Sequence, residues 1–252
     1  MFKQFKLEGG FRTEAEKREA GLNQVCFESN PESWEKKIEN FPKYVRRQNI
    51  TRFLALYELF KRIIHIKGSI IECGVYQGFG IMSWVKFSAI LEPVNLTRRI
   101  YGFDTFEGFP SISDKDRAKI TDSLCEGGLY ADSYEELQNL LEIHDSTRFL
   151  GHIPKVKLIR GNALQTIPSF IDENPHLLIS LLFLDFDLYE PTRIALENFV
   201  PRMPRGGIVA FDELDNPLWP GETQAMLDTF KERKLHLERF DFDPYIGFAV
   251  IN

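Results

Sequence analysis

The chain has 252 residues, a net charge of −6 and 43% hydrophobic residues. This composition fits one large α/β domain or two small ones and excludes a wholly disordered protein. An acidic chain lacks the concentrated basic surface that binds duplex nucleic acid, so no nucleic-acid partner is expected.

The cysteines and the apolar runs set the expected compartment. Cys26, Cys73 and Cys125 are far apart and form no C-x-x-C pair. They therefore favour a reducing compartment and argue against a zinc site. With no secretory h-region and no apolar run of membrane-spanning length, we expect a cytoplasmic protein with no membrane partner.

Residues 1–67 are predicted to form a helical N-terminal extension. The stretch SNPESWEKKIENFP predicts a short helix, with prolines near both of its ends. From Asn49, apolar residues recur at three- and four-residue steps until Gly68. This spacing predicts an amphipathic helix of about 17 residues.

From residue 68 the chain alternates short apolar runs with helical patterns. The runs are nearly continuous, as in a parallel sheet that is covered on both faces, so residues 68–252 predict a doubly wound α/β domain. The ending HLERFDFDPYIGFAVIN predicts an antiparallel hairpin, which gives a layout similar to that of the class I S-adenosylmethionine methyltransferases. The predicted strands are 69–76, 99–106, 155–163, 178–186 and 207–214, and the predicted helices are 80–92, 167–172, 190–203 and 222–234.

A long segment interrupts this alternation between the second and third strands. Residues 107–154 exceed the length of one crossover, so we interpret them as an inserted helical lid. A surface elaboration or a subunit contact is the alternative. Within the segment, Ser133 and Glu136 have the spacing of a capping box that opens a helix.

The predicted strands end in residues suited to ligand binding, because ligands of open parallel sheets lie at the carboxyl ends of strands. After the first strand, Gly74, Gly78 and Gly80 allow a tight turn, and Glu72 suits a cationic ligand such as a sulfonium. The spacing differs from G-x-G-x-x-G, which disfavours a nicotinamide oxidoreductase. A generic tight turn is the alternative.

The second and third strands end in polar groups that fit a nucleoside. Asp104 at the end of the second strand is placed to accept ribose hydroxyls, or else to cap a turn. After the third strand, Asn162 could read an adenine edge, and the Gly161 backbone could pass close to the ring.

Acids end the fourth and fifth predicted strands. Asp185 and Asp187 follow one, and Asp212 and Glu213 follow the other. Neighbouring strands would crowd these carboxylates, and oxygen ligands favour Mg²⁺, or Ca²⁺ or Mn²⁺. The alternative is that one acid, such as Asp187, caps the next helix while the others face water.

The motifs ECGVYQG, YGFDTFEGFP, LDFDLYEPT and FDEL occur in an order that resembles the macrocin O-methyltransferase (TylF/MycF-type) family over residues 42–235. The resemblance implies an S-adenosylmethionine- and Mg²⁺-dependent enzyme that methylates sugar hydroxyls in antibiotic and other natural-product pathways. It implies metal ligation by Asp185, Asp212 and Glu213. It implies cofactor binding by Glu72, Gly74, Tyr76, Gly78, Asp104, Thr105, Gly161, Asn162 and Asp185.

The predicted reaction is transfer of a methyl group to a sugar hydroxyl by in-line displacement. Asp185 or Asp187, or else a histidine of the insertion, is the predicted proton acceptor. Two rival functions are a metal-dependent hydrolase and a non-catalytic protein that binds S-adenosylmethionine. The N-terminal extension and the insertion indicate subunit contacts, so a homo-oligomer is expected.

Overall fold

The computed structural model describes residues 14–117, 124–232 and 234–252. Residues 1–13 of the predicted extension, 118–123 of the predicted lid and 233 in the last predicted helix lie outside these ranges. The chain divides into two compact units between Leu54 and Ala55. The predicted domain boundary after residue 67 stays a prediction.

The first unit is helical. Its elements are α1 (Glu14–Ser29), α2 (Trp34–Glu39) and a 3₁₀ turn (Phe41–Lys43), and α3 (Arg47–Ile63) begins within it. The short helix and the 17-residue helix are thereby confirmed. Sequence analysis missed α1, which carries no amphipathic stripe to reveal it. Its Phe27 ring meets Tyr44 edge-on at 5.0 Å.

The second unit contains a seven-stranded sheet with the order β3-β2-β1-β4-β5-β7-β6. The first five strands are parallel, and the C-terminal β6 and β7 are antiparallel, as predicted. The strands are β1 (Ser69–Cys73), β2 (Ile100–Asp104), β3 (Val156–Arg160), β4 (Ile179–Leu184), β5 (Ile208–Phe211), β6 (Glu238–Arg239) and β7 (Gly247–Val250).

Helices cover both faces of this sheet. On one face Phe103 packs against Phe170 and Phe199, and on the other Phe183 meets Trp84 with ring centroids 5.9 Å apart. Within the described ranges, no helix is long and apolar enough to cross a membrane. The helices are α4 (Phe79–Leu91), α5 (Tyr134–Thr147), α6 (Ala163–Glu173), α7 (Tyr189–Phe199) and α8 (Pro220–Thr229), with 3₁₀ turns at Asp114–Asp116 and Val200–Arg202.

The elements agree in type and order with the prediction, and the differences are at their ends. The parallel strands end earlier than predicted: β1 stops before Gly74, β3 before Gly161, β4 before Asp185 and β5 before Asp212, whereas β2 includes Asp104. Helix α6 begins at Ala163 rather than at residue 167, because the Asn162 side chain accepts from the Leu164 N–H and caps it. Helix α8 begins earlier than predicted, at Pro220, a residue suited to a first helical turn.

A buried arginine closes the end of the sheet opposite the strand ends that carry the acids. Arg98 is 2% exposed, and its Nε lies 2.9 Å from the Glu92 carboxylate, which is also buried. Its other N–H groups satisfy carbonyls that would otherwise be buried without partners. They donate to the Ser180 hydroxyl and to the carbonyls of Ile63, Ile64, Ile66 and Gly68.

Replacing Arg98 with methionine should destabilise the protein by about 3–5 kcal/mol, because Glu92 is left as an uncompensated buried charge. The measurement is the free energy of unfolding in urea. The matched control is Arg193→Met, which removes exposed ion pairs to Glu190 and Glu197 and should change stability by about 0.5 kcal/mol or less. Equal losses in both variants would contradict a special role for Arg98.

Candidate active site

The backbones that follow the parallel neighbours β1 and β4 approach each other very closely. A Cβ on Gly74 would lie 1.9 Å from the Asp185 carbonyl oxygen, and Gly74 has a φ of +95°. Main-chain hydrogen bonds hold the two backbones at this distance. Asp185 N donates to Cys73 O at 2.7 Å, and Gly74 N donates to Phe103 O at 2.9 Å. Only glycine fits this position, so the glycine loop is built into the sheet edge.

The Asp104 carboxylate organises that loop. Its Oδ2 accepts hydrogen bonds from the N–H groups of Val75 and Tyr76, both at 2.8 Å, and its Oδ1 accepts from Phe106 N at 2.7 Å. The alternative of a turn cap, weighed for Asp104 from sequence, is therefore correct in part. The same carboxylate lines the adjoining cavity, so it stays the predicted ribose ligand.

An open cavity lies over the ends of β1, β2, β3 and β4. Its walls combine apolar side chains, such as Phe109, Leu164 and Pro191, with the polar strand ends. Such a mixture is typical of a site for a small organic molecule. Eight of the predicted site residues line it: Gly74, Tyr76, Asp104, Thr105, Gly161, Asn162, Asp185 and Asp187.

Glu72 and Gly78 lie behind this wall. Glu72 is 2% exposed, and its Oε2 accepts a hydrogen bond from Trp84 Nε1 at 2.6 Å. Gly78 has a φ of +83° and is the N-cap of α4, where it packs against Leu137. Both residues support the loop from beneath, and direct contact with a cofactor stays a prediction for them.

Asn162 has one polar group committed to the fold. Its Oδ1 accepts from Leu164 N at 3.0 Å as the cap of α6, while Gly161 N donates to the Asp104 carbonyl at 2.9 Å. The ends of β2 and β3, which this second hydrogen bond joins, form one rim of the cavity. The Asn162 amide nitrogen is the part of the side chain that remains to read an adenine.

The insertion is fastened to the glycine loop. The Ser133 hydroxyl donates to the Tyr76 carbonyl, and the Tyr134 ring meets Phe106 with centroids 5.1 Å apart. The predicted capping box is wrong, because the Ser133 side chain does not cap α5. That hydroxyl serves a long-range contact, which no local sequence pattern specifies.

A second turn of the insertion caps α7. Asp116 is 3% exposed; its Oδ1 accepts from Tyr189 N and its Oδ2 from Ser113 N. In the alternative to the metal site, Asp187 caps this helix; the N-cap residue is instead Leu188, and the carboxylate that accepts the Tyr189 N–H comes from Asp116. The spacing of Ser113 and Asp116 signals the turn itself, but sequence analysis missed its role.

Neighbouring side chains hold this turn in place. Lys115 Nζ lies 2.6 Å from the Asp228 carboxylate of α8 and 3.7 Å from the centroid of the Tyr189 ring. Tyr189 Oη donates to the same carboxylate at 2.8 Å. The hydrogen bond from Lys115 lowers the pKa of the Asp228 carboxyl below its usual value.

The histidines of the insertion lie away from the cavity lining. His144 is half-buried against α4, and burial lowers its pKa. His152 is exposed in a separate surface cleft with Glu142, Asp145 and Arg148. Of the predicted proton acceptors, the structure brings Asp185 and Asp187 to the cavity wall.

Strands β4 and β5 are neighbours, so their acidic ends adjoin as predicted. Asp212 N donates to the Leu184 carbonyl at 3.0 Å, and the Asp212 side chain is 7% exposed. Glu213 accepts a hydrogen bond from the Asn216 amide. Asp185 faces the cavity, and Asp212 and Glu213 stand beside it at the next strand.

One acid of this region was missed by sequence analysis. Glu222, in the first turn of α8, is 0% exposed, and its Oε1 accepts from Glu213 N at 2.9 Å. Burial raises the pKa of the Glu222 carboxyl well above its usual range, and the charges of Asp212, Asp187 and Glu213 raise it further. The hydrogen bond from Glu213 opposes this rise only in part.

The donor chemistry of these acids fits a hard divalent cation, because every donor is oxygen. Among the residues that the structure describes, however, no three acidic, histidine or cysteine side chains stand at metal-binding spacing. The set Asp185, Asp212 and Glu213 therefore stays a prediction.

The strand order, the terminal antiparallel pair and the cavity at the carboxyl edge define a class I methyltransferase fold. Within this class, the chain belongs to the macrocin-O-methyltransferase (TylF) family, whose model matches residues 48–244. The family predicted from the four sequence motifs is thus confirmed.

Three comparisons show the nature of its relatives. A Streptomyces olivaceus protein, 8-demethyl-8-(2,3-dimethoxy-alpha-L-rhamnosyl)-tetracenomycin-C 4'-O-methyltransferase, is 30% identical over 155 residues, 59% of this chain and 53% of that protein. The chain thus matches about half the length of that curated relative. The crystal structure of the calicheamicin methyltransferase CalS11 matches with a TM-score of 0.90 and 31% identity over 95% of this chain and 93% of the other. An apo structure of CalS11, described as a TDP-rhamnose 3'-O-methyltransferase, matches with a TM-score of 0.81 and 30% identity over 95% of each chain.

Replacing Gly74 with alanine tests the close approach of the Gly74 and Asp185 backbones. The added Cβ meets the Asp185 carbonyl, so the loss of stability should be about 3 kcal/mol or more, above the typical range for a point substitution. The matched control is Gly127→Ala, which has a similar φ of +74° but open space around the new Cβ. The control should lose only about 1–2 kcal/mol. Equal losses in urea unfolding would show that strain in φ, and not the close approach, dominates.

Proposed function

We propose that this protein transfers the methyl group of S-adenosylmethionine to a hydroxyl of a rhamnose-type sugar, with the help of a divalent cation. One observation carries the proposal: the cavity lies where the glycine loop, Asp104 and Asp185 meet, in a chain of the macrocin-O-methyltransferase family. The relatives support the acceptor class, since their names specify rhamnosyl and TDP-rhamnose substrates.

S-adenosylmethionine, when bound, supplies a methyl group on a positively charged sulfonium. Transfer of that methyl group converts the sulfonium into a neutral thioether, which is the leaving group. The chain's contribution to binding is a preformed backbone. Asp104 fixes the Val75 and Tyr76 amides, and Ser133 fixes the Tyr76 carbonyl, so the loop loses little freedom when a cofactor binds. Thr105, Gly161 and Asn162 complete the wall that we assign to the nucleoside.

Two carboxylates are candidates for removing the hydroxyl proton. Asp185 and Asp187 both line the cavity, and Asp187 is only 7% exposed. We propose that one of them accepts the proton as the hydroxyl oxygen bonds to the methyl carbon. The wall beside them, formed by Leu188 and Pro191, would exclude water from the reacting groups.

We assign the cation, Mg²⁺ or else Ca²⁺ or Mn²⁺, to Asp185, Asp212 and Glu213. A divalent cation lowers the pKa of a bound hydroxyl and orients it. The assignment is supported by oxygen-only donors, by the adjoining ends of β4 and β5, and by the mutual repulsion of the acids around Glu222. No three donors of the described ranges stand at metal-binding spacing, so the assignment includes a rotation of these side chains when the cation binds.

We also propose a cytoplasmic homo-oligomer that binds neither nucleic acid nor membrane. Three free cysteines support a reducing compartment, and the net charge of −6 disfavours nucleic acid. Exposed apolar side chains on α1 and α2 support a subunit contact. They are Leu22, Val25, Trp34 and Ile38.

The rival functions differ in what they bind. A metal-dependent hydrolase would show no saturable binding of S-adenosylmethionine. A non-catalytic binding protein would bind the cofactor but give no methylated product with TDP-rhamnose or rhamnosyl glycosides. Calorimetry and mass spectrometry on the same preparation therefore separate the three functions.

Asp104→Asn tests the cofactor site. An asparagine places an NH₂ group against one of the three backbone donors, and one unmade buried hydrogen bond costs about 1–3 kcal/mol. We expect the Kd for S-adenosylhomocysteine, measured by calorimetry, to rise by about tenfold or more. The matched control is Asp132→Asn at an exposed position of the insertion. Unchanged affinity in Asp104→Asn would contradict the role of this carboxylate.

Asp212→Asn tests the cation. Loss of a ligand should lower the rate of methyl transfer by on the order of 100-fold, while affinity for the cofactor product stays within about threefold. The measurement is methylated TDP-rhamnose by mass spectrometry, with and without EDTA. Asp172→Asn, at an exposed position of α6, is the control. Full activity in Asp212→Asn, or in excess EDTA, would exclude the assigned metal role.

A further inference from the structure

Glu222 is a fully buried carboxyl group with one oxygen unused. Its Oε1 accepts the Glu213 N–H at 2.9 Å, which fixes the backbone of the acid pair at the end of β5. Its Oε2 is buried and has no hydrogen-bond partner in the part of the chain that the structure describes. Such a group is costly, because burial removes its hydration and nothing replaces it.

The surroundings of Glu222 increase that cost. The acids Asp187, Asp212 and Glu213 lie within electrostatic reach and disfavour a further negative charge. The start of α8 lies very close to the start of α7. A Cβ on Gly221 would lie 2.6 Å from Tyr189 N and 2.2 Å from Asp116 Oδ1. The missing side chain at Gly221 thus allows Glu222 to approach the β4–α7 connection.

A purely structural role does not explain the second oxygen. A glutamine at this position would hold the Glu213 N–H equally well, without adding an acid to the cluster. Oε2 is therefore the oxygen that can turn to a cation without first breaking a hydrogen bond. Its hard donor character matches a divalent ion of the Mg²⁺ type.

We propose that Glu222 belongs to the cation site: it positions Glu213 through the backbone N–H and offers Oε2 to a divalent cation held with Asp212 and Glu213. This inference rests on the proposed function for the presence of the cation, and it adds a residue from α8 to a site otherwise formed by strand ends. A further oxygen donor suits a hard divalent cation, which coordinates about six oxygen ligands.

The test is Glu222→Gln, which keeps the shape of the side chain and an acceptor for the Glu213 N–H. Mn²⁺ and Mg²⁺ affinities are measured by calorimetry on the full chain without substrate, and the melting temperature is measured with and without cation. The expected result is cation binding weakened by about tenfold or more, with an equal or higher melting temperature in the absence of cation. Asp228→Asn, which removes an exposed acid from the same helix, is the matched control and should retain cation affinity.

Wild-type Mn²⁺ affinity in Glu222→Gln would overturn the inference, and so would a wild-type protein that binds neither cation. If Glu222→Gln does not fold, Glu222→Asp keeps the charge but withdraws the oxygens by one methylene. It should weaken cation binding by about threefold or more, and unchanged affinity would again overturn the inference. Binding of S-adenosylhomocysteine, measured on the same samples, distinguishes failure of this inference from failure of the proposed methyl transfer.

Discussion

The near-contact between the backbones of Gly74 and Asp185 is the constraint on which the site depends. It brings the ends of β1 and β4 so close that one side must lack a side chain. The glycine loop leaves this near-contact on the β1 side, and the acids that follow β4 leave it on the other side. A cofactor on the loop and an acceptor beside the acids would therefore be neighbours, which is the geometric requirement of a transfer reaction.

Several carboxylates at this edge of the sheet stabilise the fold through hydrogen bonds to the backbone. Asp104, Asp116 and Glu222 each use at least one oxygen to accept backbone N–H groups from another segment, which for Asp104 and Asp116 is distant in sequence. Such charge-assisted hydrogen bonds order loops that bury little apolar surface. The second oxygen differs among them: Asp116 uses it within its own turn, whereas Glu222 leaves it without a hydrogen-bond partner among the described residues.

The sequence predicted what is local or periodic. The apolar runs predicted the five parallel strands, and the acids after two runs predicted that Asp185 and Asp212 follow neighbouring strands. It could not predict that Ser133 bonds Tyr76 or that Asp116 caps α7, because those partners are 57 and 73 residues apart. Glu222 was missed for a different reason: in sequence it resembles any acid in a first helical turn, where the helix dipole favours negative charge.

The buried acids around Glu222 lower the stability of the folded chain, while the same acids include ligands of the proposed cation site. Glu222 is buried beside two other buried acids, Asp187 and Asp212, and the half-buried Glu213. Their mutual repulsion lowers the stability of the folded chain, and a neutral glutamine at position 222 would relieve part of it. A cation attracted by the same charges would reverse the sign of the effect, since each repulsive neighbour then becomes an attractive ligand. If a cation binds there, as we propose, the electrostatic cost of this group of acids in the absence of the cation would be the source of its affinity for the ion.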